Sequence, residues 1–171
     1  MAVVNLKSTA VTNANAIPRV QNNVGLEGGT VIRAVNGFAT LSNGDSIGST
    51  YRIGKIRSDD FIDRIRMVSA DVGTTGAGDL GLYDLLTNSN GGTVVDADFF
   101  ASAVDFSAGA IDSDVTWEAA AAGGLYTNAE KRVWEILGLS SDPGKEYDVA
   151  ITLTTAANAA GSVLVRINVV R

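Results

Sequence analysis

Near the end of the chain, two runs of residues alternate apolar and polar side chains with a period of two, and this pattern constrains the fold more than any other feature. Tyr147, Val149, Ile151 and Leu153 alternate with Asp148, Ala150, Thr152 and Thr154; Val163, Val165, Ile167 and Val169 alternate with Leu164, Arg166 and Asn168. Successive side chains of a strand point to opposite faces, so each run reads as a strand with one apolar face. The small-residue stretch Ala156-Ala157-Asn158-Ala159-Ala160-Gly161 between them predicts a hairpin. Full burial of the larger side chains contributes about 1.5–3 kcal/mol each, which places the pair at the centre of the core. Arg166 marks the opposite face as at least partly wet.

Earlier strands are shorter and punctuated by turn chemistry. Asn36-Gly37, between residues 30–35 and 38–41, suits a type I′ hairpin turn, whose two central residues need positive φ. Asn43-Gly44 turns the chain again. Further strands are expected over residues 50–56, 62–72, 79–85, 94–104 with a break, and 114–118. About eight to ten strands at this spacing point to an all-β antiparallel sandwich or barrel. One short helix is expected over residues 128–137. Thr127 or Asn128 caps it, Ala129, Val133, Ile136 and Leu137 form its stripe, and Gly138 ends it. Either Trp134 or the Val133/Ile136 stripe then lies against the sheets or a neighbour, and Asp142-Pro143-Gly144 turns into the final strands. Residues 1–28 show no sustained period, and Pro18 biases Ile17 toward extended backbone. They are expected to form an extended N-terminal arm ahead of a single sandwich domain over residues 29–171, either a loose terminus of the common kind or a segment ordered only by lying along another subunit.

The composition narrows the chemistry. The 171 residues include no histidine and no cysteine, which removes the usual neutral-pH general base, the thiol nucleophile, disulfides and ordinary zinc sites. Apolar residues make up 46% of the chain but aromatics only 6%, so the core is built from Val, Ile, Leu and Ala, a composition that favours sheet. No apolar run approaches the roughly 18 residues of a membrane-spanning helix. The opening Met1-Ala2-Val3-Val4-Asn5-Leu6-Lys7 lacks a basic start followed by an apolar stretch, so synthesis in a cytoplasm is expected.

The net charge of −6 is unevenly spread. Residues 67–130 carry ten carboxylates and no basic side chain. Phosphate backbones require a basic face, so nucleic acid is not an expected partner, and neither is a membrane. Solvated strand ends explain such a run, and a docking face for a basic partner is the sharper reading.

Two motif matches fail on context. Gly44-Asp45-Ser46-Ile47-Gly48 fits the nucleophile elbow of serine esterases, yet Ser46 has no histidine and a strand follows instead of a helix. Gly76-Ala77-Gly78-Asp79-Leu80-Gly81 fits a dinucleotide fingerprint, but no helix follows and the nearby acids oppose a pyrophosphate. The pairs Asp96/Asp98 and Asp112/Asp114 project to one face if extended, which leaves a carboxylate-pair glycoside hydrolase as a remote alternative. Asp96 and Asp98 are also weak calcium candidates, although the spaced loop of an EF-hand is missing. No cofactor is expected.

Four stretches carry a resemblance. Gly81-Leu82-Tyr83, residues 91–100 (GGTVVDADFF), residues 130–139 (EKRVWEILGL) and residues 146–150 (EYDVA), with the opening Val4-Asn5-Leu6-Lys7-Ser8, make the chain similar to capsid decoration, or cement, proteins of tailed bacteriophages. The resemblance implies a jelly-roll β-sandwich made in the host cytoplasm. It also implies a homodimer or homotrimer bound to the major capsid protein on the outside of an icosahedral head, and no enzymatic activity. Interface candidates are Val4, Asn5, Leu6, Lys7, Pro18 and Arg19 in the arm, with Asp96, Asp98 and Trp134 in the domain. The competing binding module is a receptor- or carbohydrate-binding jelly roll of a tail fibre, which would display Tyr83, Trp117 or Tyr126 in loops.

Overall fold

Tyr147, Val149, Ile151 and Leu153 and their counterparts Val163, Val165, Ile167 and Val169 are all buried, as their alternation requires. They lie on β7 (Glu146–Thr155) and β8 (Gly161–Val170) of a computed structural model that describes residues 7–22, 31–87, 91–107, 110–119 and 124–171. The other strands are β1 (Ile32–Leu41), β2 (Thr50–Arg57), β3 (Phe61–Ser69), β4 (Ala77–Asp84), β5 (Val94–Asp105) and β6 (Ile111–Asp114). The short helices are α1 (Thr9–Ala14), α2 (Gly124–Asn128) and α3 (Val133–Ile136).

The expected terminal hairpin does not form. β8 belongs to a sheet ordered β1-β8-β3-β6 and β7 to a sheet ordered β2-β7-β4-β5, so residues 156–160 carry the chain across the core. An apolar strand face is satisfied equally well by a facing sheet, and both strands then gain hydrogen-bond partners on either side. All the pairings between named strands are antiparallel, and every connection except β4–β5 crosses between the sheets. This is the wiring of an eight-stranded jelly roll.

The Asn36-Gly37 turn is also absent, because β1 runs unbroken through both residues and pairs with β8 from Ile32↔Val170 to Leu41↔Gly161. Gly37 serves a different need. A Cβ there would collide with the Ile53 carbonyl of β2, and one at Gly54 would collide with Val35. The two glycines let the edges of the two sheets close on each other. In β4, a Cβ at Gly81 would strike the carbonyl oxygens of Asp96 and Ala97, where β5 bulges between its pairings Leu82↔Asp96 and Leu80↔Ala101. That bulge, the expected break in the strand, delivers Phe99 and Phe100 to the core.

β6 ends earlier than expected, at Asp114, whose carboxylate accepts from the Thr116 backbone N–H at 2.9 Å and turns the chain. Trp117 then adopts φ 54° and buries its ring edge-on to Phe99, with centroids 5.4 Å apart. The single helix expected over 128–137 is split. α2 ends at the buried Asn128, Arg132 bridges to Phe61, and the Val133 and Trp134 N–H groups donate to the Asp60 and Ser58 carbonyls at 3.1 and 3.0 Å. Those donors are taken by the β2–β3 turn, and the chain resumes as α3, with the fully buried Val133 as its anchor. Gly138 follows it at φ 72°, as its sequence position implied.

A buried carboxylate organises this end of the sandwich. Asp60 accepts from the Arg57 N–H at 2.8 Å, Arg171 Nε at 2.6 Å and Arg33 Nη2 at 3.2 Å, joining the β2–β3 turn to β1 and to the residue that follows β8. Nearby, the buried Ser58 hydroxyl donates to Asp142 and accepts from the Lys145 N–H at 3.2 Å, which pins the Asp142-Pro143-Gly144 turn.

Two outcomes test this architecture. Ile151→Asp, which places an unpaired charge at a fully buried position, is expected to prevent cooperative folding, and an unchanged thermal midpoint would show the inward face to be misassigned. Asp60→Ala is expected to cost about 1.5–3 kcal/mol in denaturant unfolding, the range for hydrogen bonds to a charged group. The loss stays within that range because Arg33 and Arg171 are half exposed and remain hydrated.

A candidate interaction face

The outward faces of the two sheets differ. On the β2-β7-β4-β5 sheet the outward-pointing Tyr83, Asp148 and Ala150 are buried, roofed in part by the β5 backbone at Asp96 and Ala97, which lies too close over Gly81 to admit a Cβ. Leu86 N–H donates to Asp148 at 2.9 Å, and Arg52 lies over the Tyr83 ring at 4.4 Å while donating to the Gly92 carbonyl at 2.7 Å. Among the described residues, Arg52, Leu86 and the β5 backbone cover this face.

The β1-β8-β3-β6 sheet has no such roof among the described residues. Its register sets side chains in rows across the outward face: Phe38, Leu164, Val68 and Asp112 in one, and Asn36, Arg166, Arg66 and Asp114 in the next. Ala34, Asn168 and Arg64 follow. Phe38 is 74% exposed. Arg66 grips Asp112 with two donors, the Nε contact at 2.6 Å, and Arg64 meets Asp114 at 3.4 Å. Arg166 donates to the neutral Asn36 Oδ1 at 2.8 Å and, among the described residues, forms no ion pair. A shallow groove of about 250 Å³ runs between Arg66, Val68, Asp112, Leu164 and Arg166. The sequence signal for this face was faint: Phe38, Leu164 and Val68 are apolar residues out of phase with the inward alternation of their own strands.

The residues singled out from sequence do not converge on one place. Val4, Asn5 and Leu6 lie outside the described residues. Lys7, Pro18 and Arg19 are exposed in the segment that contains α1. Trp134 is half buried on α3, where Val133 and not the indole supplies the anchor. Asp96 lines a groove of about 490 Å³ with Val95, Ile136, Leu137, Leu139, Pro143, Lys145 and Tyr147. Burial raises the Asp96 carboxyl above the usual carboxylate range, and a hydrogen bond with Asp98 and that neighbour's charge push the same way. Among the described residues no three carboxylates gather to hold a metal ion, and no helix is long and apolar enough to cross a membrane.

The acidic middle third is partly neutralised by basic side chains from elsewhere in the chain: Asp112 and Asp114 by Arg66 and Arg64, and Asp84 by Lys145 at 2.8 Å. The loop aromatics proposed for a tail module divide, since Tyr83 and Trp117 are buried while Tyr126 is 99% exposed. Gly44-Asp45-Ser46-Ile47-Gly48 leads into β2, with Asp45 accepting from Tyr51, and Gly76-Ala77-Gly78 leads into β4.

No protein-family model matches the chain, and no curated protein sequence does so. Among solved structures, the fold is similar to a chain of the Cyanophage Pam1 capsid asymmetric unit, at 15% identity and a TM-score of 0.52 over 83% of this chain and 86% of that one. It is also similar to a chain of the capsid of Ralstonia phage GP4, at 13% identity and a TM-score of 0.53 over 82% and 84%. The expected likeness to phage virion proteins is met at the level of the fold.

The carboxylates make opposite contributions to stability as pH changes. Hydrogen bonds from Lys145 and Thr93 hold Asp84 below its ordinary value of 3.8, so its contribution is present above that value and lost as pH falls through the lowered one. Asp96 is raised, so its contribution is complete below 3.8 and lost as pH rises through the raised value. Asp96→Asn is therefore expected to raise the thermal midpoint at pH 7, by less than about 1 kcal/mol for a solvent-screened pair. Asp84→Asn should lower the midpoint at pH 7, with the deficit closing as pH falls below 3.8. Parallel profiles for parent and both variants from pH 3 to 8 would contradict these assignments.

Proposed function

We propose that this chain is a structural protein of a tailed-phage virion. Within the virion it acts as a decoration, or cement, protein that binds the major capsid protein on the outside of the icosahedral head as a homodimer or homotrimer. The observation that carries this reading is the jelly roll that the chain shares with chains of two phage capsid structures. The tail-module alternative is less well supported, because two of the three aromatics it would display, Tyr83 and Trp117, are buried.

A cement protein stabilises a shell by binding the assembled form better than its dissociated subunits, and an oligomer that grips several subunits makes its later contacts at high effective concentration. The N-terminal segment suits a reaching role. Helix α1 buries no residue and Ile17 is 99% exposed, so residues such as Lys7, Pro18 and Arg19 are free to lie along a neighbouring subunit.

Heads lacking the protein should assemble with normal geometry yet release DNA at lower temperature, and protein added back should restore resistance in a saturable way. DNA release against temperature for depleted and replenished heads measures this; superimposable curves, or a protein found only in tails, would defeat the assignment. Removing residues 1–20 should leave the midpoint of the isolated domain nearly unchanged while weakening head binding. If that truncation unfolds the protein, the segment belongs to the core and not to an arm.

A further inference from the structure

We propose that the outward face of the β1-β8-β3-β6 sheet is the docking surface, and that its occupant is a carboxylate-bearing, partly apolar patch on the outer surface of the capsid shell. This inference rests on the head-surface reading above. The first argument is the difference between the two faces. The outward side of one sheet is covered by its own chain down to the buried Asp148 and Ala150, whereas the other sheet leaves Phe38 and Ile32 in water. A large aromatic standing on a flat, regularly paired strand with aliphatic neighbours on the next two strands has the composition of an interface anchor.

The second argument is electrostatic. The chain carries a net charge of −6, and the β1-β8-β3-β6 sheet presents Arg64, Arg66 and Arg166 with Asp112, Asp114 and, at the β3 bulge beside Arg64, the exposed Asp63, so its charges balance in number while their pairing is uneven. Arg66 and Arg64 have their carboxylates, and Arg166, central in the sheet beside the apolar row, has among the described residues only the amide oxygen of Asn36. A guanidinium in that position accepts a bidentate carboxylate from outside. Symmetric pairing of this face about its centre would bring two Arg166 guanidiniums together, so an acidic group on a different partner suits this position better than a second copy of the same surface.

The test uses purified heads depleted of the protein and five proteins: the parent, Phe38→Thr, Phe38→Leu, Arg166→Glu and the double variant Asp96→Asn with Asp98→Asn. Thermal midpoints and sedimentation of the free proteins are measured alongside. Phe38→Thr is expected to weaken head binding at least tenfold and Phe38→Leu to recover most of it. Arg166→Glu should weaken binding similarly and flatten its dependence on salt, while the double aspartate variant binds like the parent. Parent-like binding by both Phe38→Thr and Arg166→Glu would place the docking surface elsewhere and leave the head reading standing. Loss only in the double aspartate variant would move docking to the acidic edge and overturn the proposal. Dissociation of the free oligomer by Phe38→Thr, with unchanged head affinity, would make this face a contact between copies and overturn it as well. A parent that does not bind heads removes both the proposal and the reading beneath it.

Discussion

The facing contact between β7 and β8 is the constraint on which the rest of the sandwich depends. Each is an inner strand of its own sheet, β7 between β2 and β4 and β8 between β1 and β3. Their inward side chains form the middle of one core, joined by Leu80 and Leu82 of β4, Ile65 and Met67 of β3, and the aromatic group of Phe99, Phe100 and Trp117. Because the two strands follow each other in the chain, the loop 156–160 holds the sheets together from one side, and the strands added around them inherit a fixed inside and outside.

That inheritance explains why two outward faces built by the same alternation differ so much. Around β7 the outward positions are small or hydrogen-bonding, Ala150 and Thr152 among them, with Gly81 on β4. Close-approaching chain can settle there, and Arg52, Asp148 and Leu86 N–H tie part of it down. Around β8 the outward positions are long or branched, with Arg64, Arg66, Arg166, Leu164 and Phe38. No glycine opens a seat for a covering loop, because Gly37 faces inward toward β2. The same sheet contributes Arg33 to the buried Asp60 centre that ties β1 to the β2–β3 turn.

Legibility of the site was uneven for physical reasons. The failed nucleophile elbow and dinucleotide fingerprint were recognisable as decoys because each needs a helix immediately after it, which is a local property; β2 follows the first, and the second lies almost wholly within β4. The acidic middle third misled more. Its ten carboxylates look like one surface in linear order, yet Asp84, Asp112 and Asp114 meet Lys145, Arg66 and Arg64, which lie outside that stretch. Phe38, Leu164 and Val68 are unremarkable one at a time, and only the register of three strands sets them side by side.

The sequence by itself determined that the chain is an antiparallel β protein, where most strands run, and which side of β7 and β8 is buried. Period-two alternation and apolar content act residue by residue, and any sheet arrangement must respect them. Only the tertiary structure decided that β7 and β8 face each other instead of pairing, that Gly37 is a point of close approach instead of a turn, and that the helix near Arg132 is interrupted. In each case two local solutions satisfy the same backbone and the same apolar face. Contacts made far along the chain select between them: Ile53 against Gly37, the Asp60 and Ser58 carbonyls against Val133 and Trp134, and β3 beside β8.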